Sequence, residues 1–315
     1  MNFGAPRNLP ASVHQRLLNL AHQQHLPFER VLSRYGVERL LYRLSQSPHR
    51  ERFILKGAML FLLWKEALHR PTRDLDLLGQ GEDSRERLEE VFRDLCRTPV
   101  EKDGLRFLPD SVSAEEIREE EVYGGIRVRL LTMLGKSRIP LQVDVGFGDA
   151  VTPPAQEADF PALLSFPTPR LQVYPHETVI AEKYQAMVAM GLLNSRMKDF
   201  YDLWTLAREF SFSGPALCQA IAATFARRRT ALPEETPTAL TPAFSRDEVK
   251  GTQWKGFLSR SELEAISLPE VVALLGDFLT PPTKALVEGR PFKRSWPPGG
   301  PWTASAPSSR PDLKT

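Results

Sequence analysis

At 315 residues, with 42% apolar and 25% charged side chains, the chain has the makings of a globular protein with one or two cores. A net charge of +2, with basic residues gathered after Lys284, excludes a uniformly basic nucleic-acid-binding surface, so any such contact must be a local patch. No apolar run is long enough to span a bilayer, the first residues lack a signal-peptide pattern, and Cys96 and Cys218 have no paired spacing, which points to a cytoplasmic protein with reduced thiols.

Residues 1–50 read as helices. Val13, Leu17, Leu18 and Ala21 recur at helical spacing, as do Phe28, Val31, Leu32 and Tyr35. Gly36 is expected to break that pattern before Val37, Leu40, Leu41 and Leu44 begin another. Arg39 and Arg43 lie beside this stripe and read as a solvated, basic face.

The stretch 54–78 carries the strongest chemical signal. Lys56-Gly57 stands where an apolar helix is expected to begin, and a helix N-terminus with a small residue favours phosphate. Residues 74–78 alternate acid and leucine, a period of two, and read as a strand. Asp74 and Asp76 then share one face while Leu75 and Leu77 face the core. Two carboxylates on one strand face make a platform for a hard cation such as Mg²⁺. The same pattern occurs on ordinary solvated strands, so the rest of the chain must supply a third carboxylate and a phosphate-binding cation.

Residues 79–83 read as a turn and 84–97 as an amphipathic helix with Leu88, Val91, Phe92 and Leu95 inward. The acid-rich run 115–121 reads as an exposed loop or helix end. Residues 126–134 and 139–147 read as a hairpin, with 135–138 turning the chain. In its second strand Asp144 is a lone acid between valines, and a partly desolvated carboxylate needs a cation or a metal beside it. If the hairpin pairs beside the Asp74 strand, Asp144 becomes the third carboxylate.

Residues 151–175, rich in proline, read as a crossing loop. In the helix that starts near His176, Lys183 falls inside the apolar stripe, where it either snorkels past its neighbours or points its ammonium into an interior site. Residues 196–204 start the next helix, with Asp199 and Asp202 three apart. Lys198 and Asp202 form a surface pair or belong to a polar network. The helix over 215–229 ends in Arg227, Arg228 and Arg229. The last packed helix is expected over 268–279, and 281–315, rich in Pro, Gly and Ser, reads as a disordered tail. The domains expected are N-terminal helices over 1–50, an α/β core over 51–170, a helical domain over 171–280 and the tail.

The segments LKGA (55–58), TRDLDL (72–77), VDVGFGD (143–149), ETVIAEK (177–183) and RMKDFYD (196–202) come in one order, and in it the chain resembles the AbiEii/AbiGii-type nucleotidyltransferases. These are toxins of type IV toxin–antitoxin pairs within the polymerase-β-like superfamily. The resemblance implies an α/β (α+β) fold, a small mixed sheet flanked by helices with a C-terminal helical domain. It implies that Asp74 and Asp76 bind Mg²⁺ or Mn²⁺, that Asp144 completes the metal cluster or activates the acceptor hydroxyl, that Lys183 holds the triphosphate, and that Asp199 or Asp202 is the later motif's aspartate. Nucleotide contacts fall to Lys56, Gly57, Thr72, Lys183, Arg196 and Lys198. Ala58 departs from the usual Gly-Ser or Gly-Gly turn, which leaves backbone N–H groups and Lys56 to meet the phosphates.

The implied reaction moves a nucleoside monophosphate from an NTP to an acceptor hydroxyl, with the 3′ end of an RNA, tRNA above all, as the expected acceptor and a cognate antitoxin as a partner. A basic rim for RNA is expected from Arg196, Lys198, Arg227–Arg229, Arg39 and Arg43. The alternatives are a non-catalytic nucleotide-binding or regulatory module and a metal-dependent phosphohydrolase.

Overall fold

A computed structural model describes residues 8–65, 70–72, 74–117 and 124–304. Arg73, the 118–121 part of the acidic run and the tail beyond 304 lie outside the described residues. The chain divides into two compact units, Met1–Asp149 with Ala155–Tyr174, and Ala150–Pro154 with Pro175–Thr315.

The first unit is built on a seven-stranded mixed sheet. Its elements are α1 (Leu9–Gln23), α2 (Phe28–Ser45), β1 (Phe53–Lys56), α3 (Phe61–Lys65), β2 (Leu75–Gly79), α4 (Arg85–Arg97), β3 (Leu105–Ile117), β4 (Gly125–Leu134), β5 (Ser137–Phe147), β6 (Gln156–Asp159) and β7 (Arg170–Val173). The strand order is β3-β4-β5-β2-β1-β7-β6. β2 pairs parallel with β5 and β1 parallel with β7, and the other pairs are antiparallel. Leu75, Leu77, Val128, Leu130, Val143 and Val145 are buried on one face, as the period of two requires.

The N-terminal helices belong to this same unit. α2 runs unbroken through Gly36, because the glycine lets the helix backbone approach the sheet: a Cβ there would lie 3.0 Å from Leu141 and 3.1 Å from Ile139. Arg39 and Arg43 are not a solvated face. Both are buried, and Asp103 accepts from Arg39 Nε at 3.1 Å and from Arg43 Nη1 at 2.7 Å. Glu38 is buried beside them and accepts from the Leu163 amide at 2.7 Å. Burial raises its pKa to about 7, against the pull of that amide, Arg39 and Arg34. The helix is covered on more sides than a single apolar stripe indicates, so its charges find partners inside. The proline-rich 151–175 segment is likewise not all loop, since it supplies β6 and β7, and Glu115 and Glu116 lie in β3.

The second unit is mainly helical: α5 (His176–Met190), α6 (Met197–Glu209), α7 (Gly214–Arg227), α8 (Pro242–Ser245), α9 (Glu248–Arg260) and α10 (Leu268–Val287). A three-stranded sheet joins β8 (Phe212–Ser213), β9 (Arg294–Trp296) and β10 (Thr303–Ala304) in the order β10-β9-β8. Residues 281–304 are therefore structured, against the reading of a tail that starts at 281. α10 continues through Pro281 and Pro282. Trp296 Nε1 donates to the Ala207 carbonyl at 2.6 Å, and Trp302 Nε1 donates to that of Phe278 at 2.9 Å while its ring stacks on Phe278. Two tryptophans with satisfied N–H groups anchor a segment whose prolines and glycines hide any periodicity. No described helix is long and apolar enough to cross a membrane.

Candidate active site

In the first unit the sheet register sets five charged residues in one file. Glu115 on β3 faces Arg127 on β4, Arg127 faces Asp144 on β5, Asp144 faces Asp76 on β2, and Asp76 faces Lys56 on β1. Register partners project from the same face of a sheet, and neighbouring strands lie about 4.8 Å apart. Asp76 and Asp144, 68 residues apart in sequence, thus become neighbours through the parallel β2–β5 ladder. Asp74, one file along, accepts a hydrogen bond from Gln142 Nε2 at 3.0 Å.

Gly57 is required next to this file. It has φ +75°, and a Cβ there would overlap the Asp76 carboxylate. It leads into a 3₁₀ turn, Ala58–Leu60, before α3, so the Lys56-Gly57 turn does not open directly onto an α-helix. Lys56 Nζ donates to Asp149 at 2.9 Å and lies 5.3 Å from the Tyr174 ring centre. Thr72 lies just before β2, with its hydroxyl 3.5 Å from the Asp74 carbonyl.

Asp144 has its partner within the protein. Arg127 meets it with a two-pronged fork, Nε to one oxygen and Nη2 to the other, each at 2.8 Å. The pair is only part-buried, with the side chains 26% and 20% exposed. The hydrogen bonds to Asp144 push the Arg127 pKa well above its ordinary value, against a smaller effect of burial. Among the described residues no group of three or more His, Cys, Asp or Glu is arranged to hold a metal ion, so Asp74, Asp76 and Asp144 do not stand as the three-carboxylate cluster expected. Asp74 and Asp76 do fit Mg²⁺, which takes one or two carboxylates and fills its remaining positions with water and substrate phosphate. The Asp76 carboxylate occupies the place that a side chain at position 57 would take, which holds it against the Lys56-Gly57 turn. A cavity of about 620 Å³ opens beside Asp74, with Gln142, Arg129, Arg138 and Ser111 in its wall.

In the second unit Lys183 does not snorkel. Its ammonium lies 2.5 Å from Asp199 Oδ1 and 2.9 Å from Asp202 Oδ2, and Arg196 Nε donates to Asp199 Oδ2 at 2.6 Å. Both aspartates are buried, and both carboxylates meet Lys183. Burial works to raise the Asp199 pKa, but Lys183 and Arg196 outweigh it and the net shift is downward. Lys198 stands exposed, outside this network. Asn194 adds a support that no motif indicated: buried, it accepts from the Arg196 amide at 2.8 Å, and its carbonyl accepts from buried Lys250 at 3.0 Å.

The expected basic rim is smaller than the sequence implied. Arg39 and Arg43 are internal, and Arg228 donates to Gln185 at 2.9 Å and lies 3.6 Å from Glu182. Arg227 and Arg229 are exposed. Arg127 is the residue sequence reasoning missed, although the hairpin carries the signal. The turn is two residues, Gly135-Lys136, with Leu134 opposite Ser137, and that register sets Arg127 against Asp144. The four-residue turn expected over 135–138 sets Arg129 there instead.

Two solved structures from Helicobacter pylori resemble the chain at 17% identity. One is the crystal structure of JHP933, covering 80% of this chain and 90% of that one with a TM-score of 0.46. The other is described as a nucleotidyltransferase, covering 85% of this chain and all of that one with a TM-score of 0.47. Neither likeness carries an argument at that level. No curated protein matches. The profile described as "Nucleotidyl transferase AbiEii toxin, Type IV TA system" matches residues 39–276, three quarters of the chain and all five segments. By that match the chain belongs to the AbiEii family, the nucleotidyltransferase toxins of type IV toxin–antitoxin systems.

Proposed function

We propose that this nucleotidyltransferase moves a nucleoside monophosphate from an NTP to the 3′ hydroxyl of an RNA, tRNA first among candidates, and that a cognate antitoxin opposes it. The observation that carries the reading is the placement of Asp76 beside Asp144, with the Asp76 carboxylate packed closely against Gly57. The acceptor oxygen forms a bond to the α-phosphorus, the bond from that phosphorus to the bridging oxygen breaks, and pyrophosphate leaves with the electron pair. The hydroxyl proton passes to a base or to water. A divalent cation, Mg²⁺ or Mn²⁺, held by Asp74 and Asp76, would offset phosphate charge when bound. Lys183, oriented by Asp199 and Asp202, is assigned to the triphosphate, and Arg196 is assigned to holding Asp199 in place. Lys56 and the backbone around Gly57 are assigned to the nucleotide, with Thr72 at the entry to β2. Of the basic residues, Lys198, Arg227 and Arg229 remain as exposed candidates for the RNA backbone.

The test is incubation with each of the four NTPs, labelled at the α-phosphate, with Mg²⁺ or Mn²⁺ and a tRNA pool. Label retained on RNA with release of pyrophosphate supports the reading. Label appearing only as free nucleotide, or only on protein, overturns the RNA acceptor.

A further inference from the structure

We propose that Arg127 and a divalent cation are mutually exclusive occupants of Asp144, so that Arg127 keeps the metal set incomplete until the guanidinium is displaced. The inference rests on the nucleotidyltransferase reading above and deepens it. Both oxygens of Asp144 accept from Arg127, one from Nε and one from Nη2, so the guanidinium covers the side on which a cation would be coordinated. Asp144 is also the register neighbour of Asp76. Arg127 offsets the charge of Asp144 in that pair, and a carboxylate relieved of its guanidinium next to another carboxylate attracts a divalent ion more strongly.

The pair is built to exchange more readily than a buried one. With a fifth to a quarter of each side chain exposed, the guanidinium regains water when it leaves, and an ion pair of that exposure is a modest barrier. A second carboxylate waits on the same file: Glu115 is the β3 register partner of Arg127 and at present accepts from Arg129 at 2.6 Å. Movement from Asp144 toward Glu115 keeps the charge of Arg127 beside the site. Arg127 is thus a positioning residue that sets when Asp144 becomes a ligand. Metal binding without nucleotide is weak because it must displace an internal cation. A metal arriving with a triphosphate brings phosphate oxygens that compensate the released charge.

The experiment is a Mn²⁺ titration followed by electron paramagnetic resonance, without nucleotide, on the full chain and on Arg127→Gln, Arg127→Lys, Asp144→Asn and the Asp144→Asn/Arg127→Gln double variant. Arg127→Gln is expected to bind Mn²⁺ about fivefold more tightly than the parent, the equivalent of one part-exposed ion pair. Arg127→Lys, which keeps the charge but not the fork, should fall between them and gives the same reading if the glutamine variant does not fold. In the Asp144→Asn background the gain should vanish. Unchanged or weaker Mn²⁺ binding in folded Arg127→Gln, or a gain that survives Asp144→Asn, overturns the proposal. Because the titration contains neither NTP nor RNA, its failure is separable from failure of the transfer assay on the parent chain.

Discussion

The two charge clusters solve the same problem with opposite tolerances. On the sheet, Asp144 has a single partner among the described residues, Arg127, and both face water in part. In the helical unit Lys183 stands between two buried aspartates, one of which also holds Arg196. A part-exposed pair can lose a partner and be rehydrated, whereas a buried one leaves an uncompensated charge behind. Arg127 is therefore free to be exchanged, and Lys183 is not.

The strongest way to break this comparison is Lys183→Met. A lysine inside an apolar stripe suggests methionine as a silent replacement, but Asp199 and Asp202 reverse that expectation. The variant should lose about 3–5 kcal/mol of stability in urea unfolding, because two buried carboxylates are left facing each other. A loss below about 1 kcal/mol would remove the distinction between the clusters.

The pH dependence sharpens it further. The Asp199 pKa is depressed in the fold, so its contribution is present above the unfolded value and is lost as pH falls through the folded one. Glu38 has the opposite sign, because burial raises its pKa to about 7 and the folded chain holds a proton that the unfolded chain has given up. Stability should fall as pH rises from the ordinary glutamate value of 4.5 to about 7, by on the order of 3 kcal/mol, and Glu38→Gln should flatten that slope. Melting curves across that range on both proteins check it.

Gly57→Ala comes next. The added methyl meets Asp76 and φ is positive, so a stability loss of about 1–3 kcal/mol should accompany loss of transfer. Near-normal turnover in a folded variant would show that the close approach has no part in the chemistry. The smallest stability effect belongs to Arg127→Gln, expected within about 1 kcal/mol of the parent by thermal melting. A loss as large as that of Lys183→Met would mean that the sheet pair is structural after all.

How much of this the sequence shows depends on whether the signal is local. The alternation that ends in β2, the amphipathic helix expected over 84–97 and the apolar face of Val143 and Val145 are local periodicities; the strand runs Leu75–Gly79 with Asp74 just before it, and the helix runs Arg85–Arg97 with Ser84 as its cap. Arg127 escaped because its role depends on a turn being two residues long instead of four. Arg39 and Arg43 read as solvated because their carboxylate, Asp103, lies 64 and 60 residues away in sequence, whereas Lys183, legible as a lysine inside an apolar stripe, meets Asp199 and Asp202. The composition of 281–304 reads as disordered, but proline and glycine signal disorder only when nothing large packs, and here Trp296 and Trp302 do.

The parallel pairing of β2 with β5 has a kinetic consequence. Everything from Gln80 to Lys136, a helix and two long strands, must be made before Asp144 can reach Asp76, and closing so long a segment is entropically costly until the sheet rewards it. On the proposed reading, the site is complete only once this ladder has formed, so transfer is expected only after the central sheet has closed. In refolding, transfer activity should return no earlier than the slowest phase of amide protection in β2 and β5. Activity that precedes it would show that the paired strands are not what assembles the site.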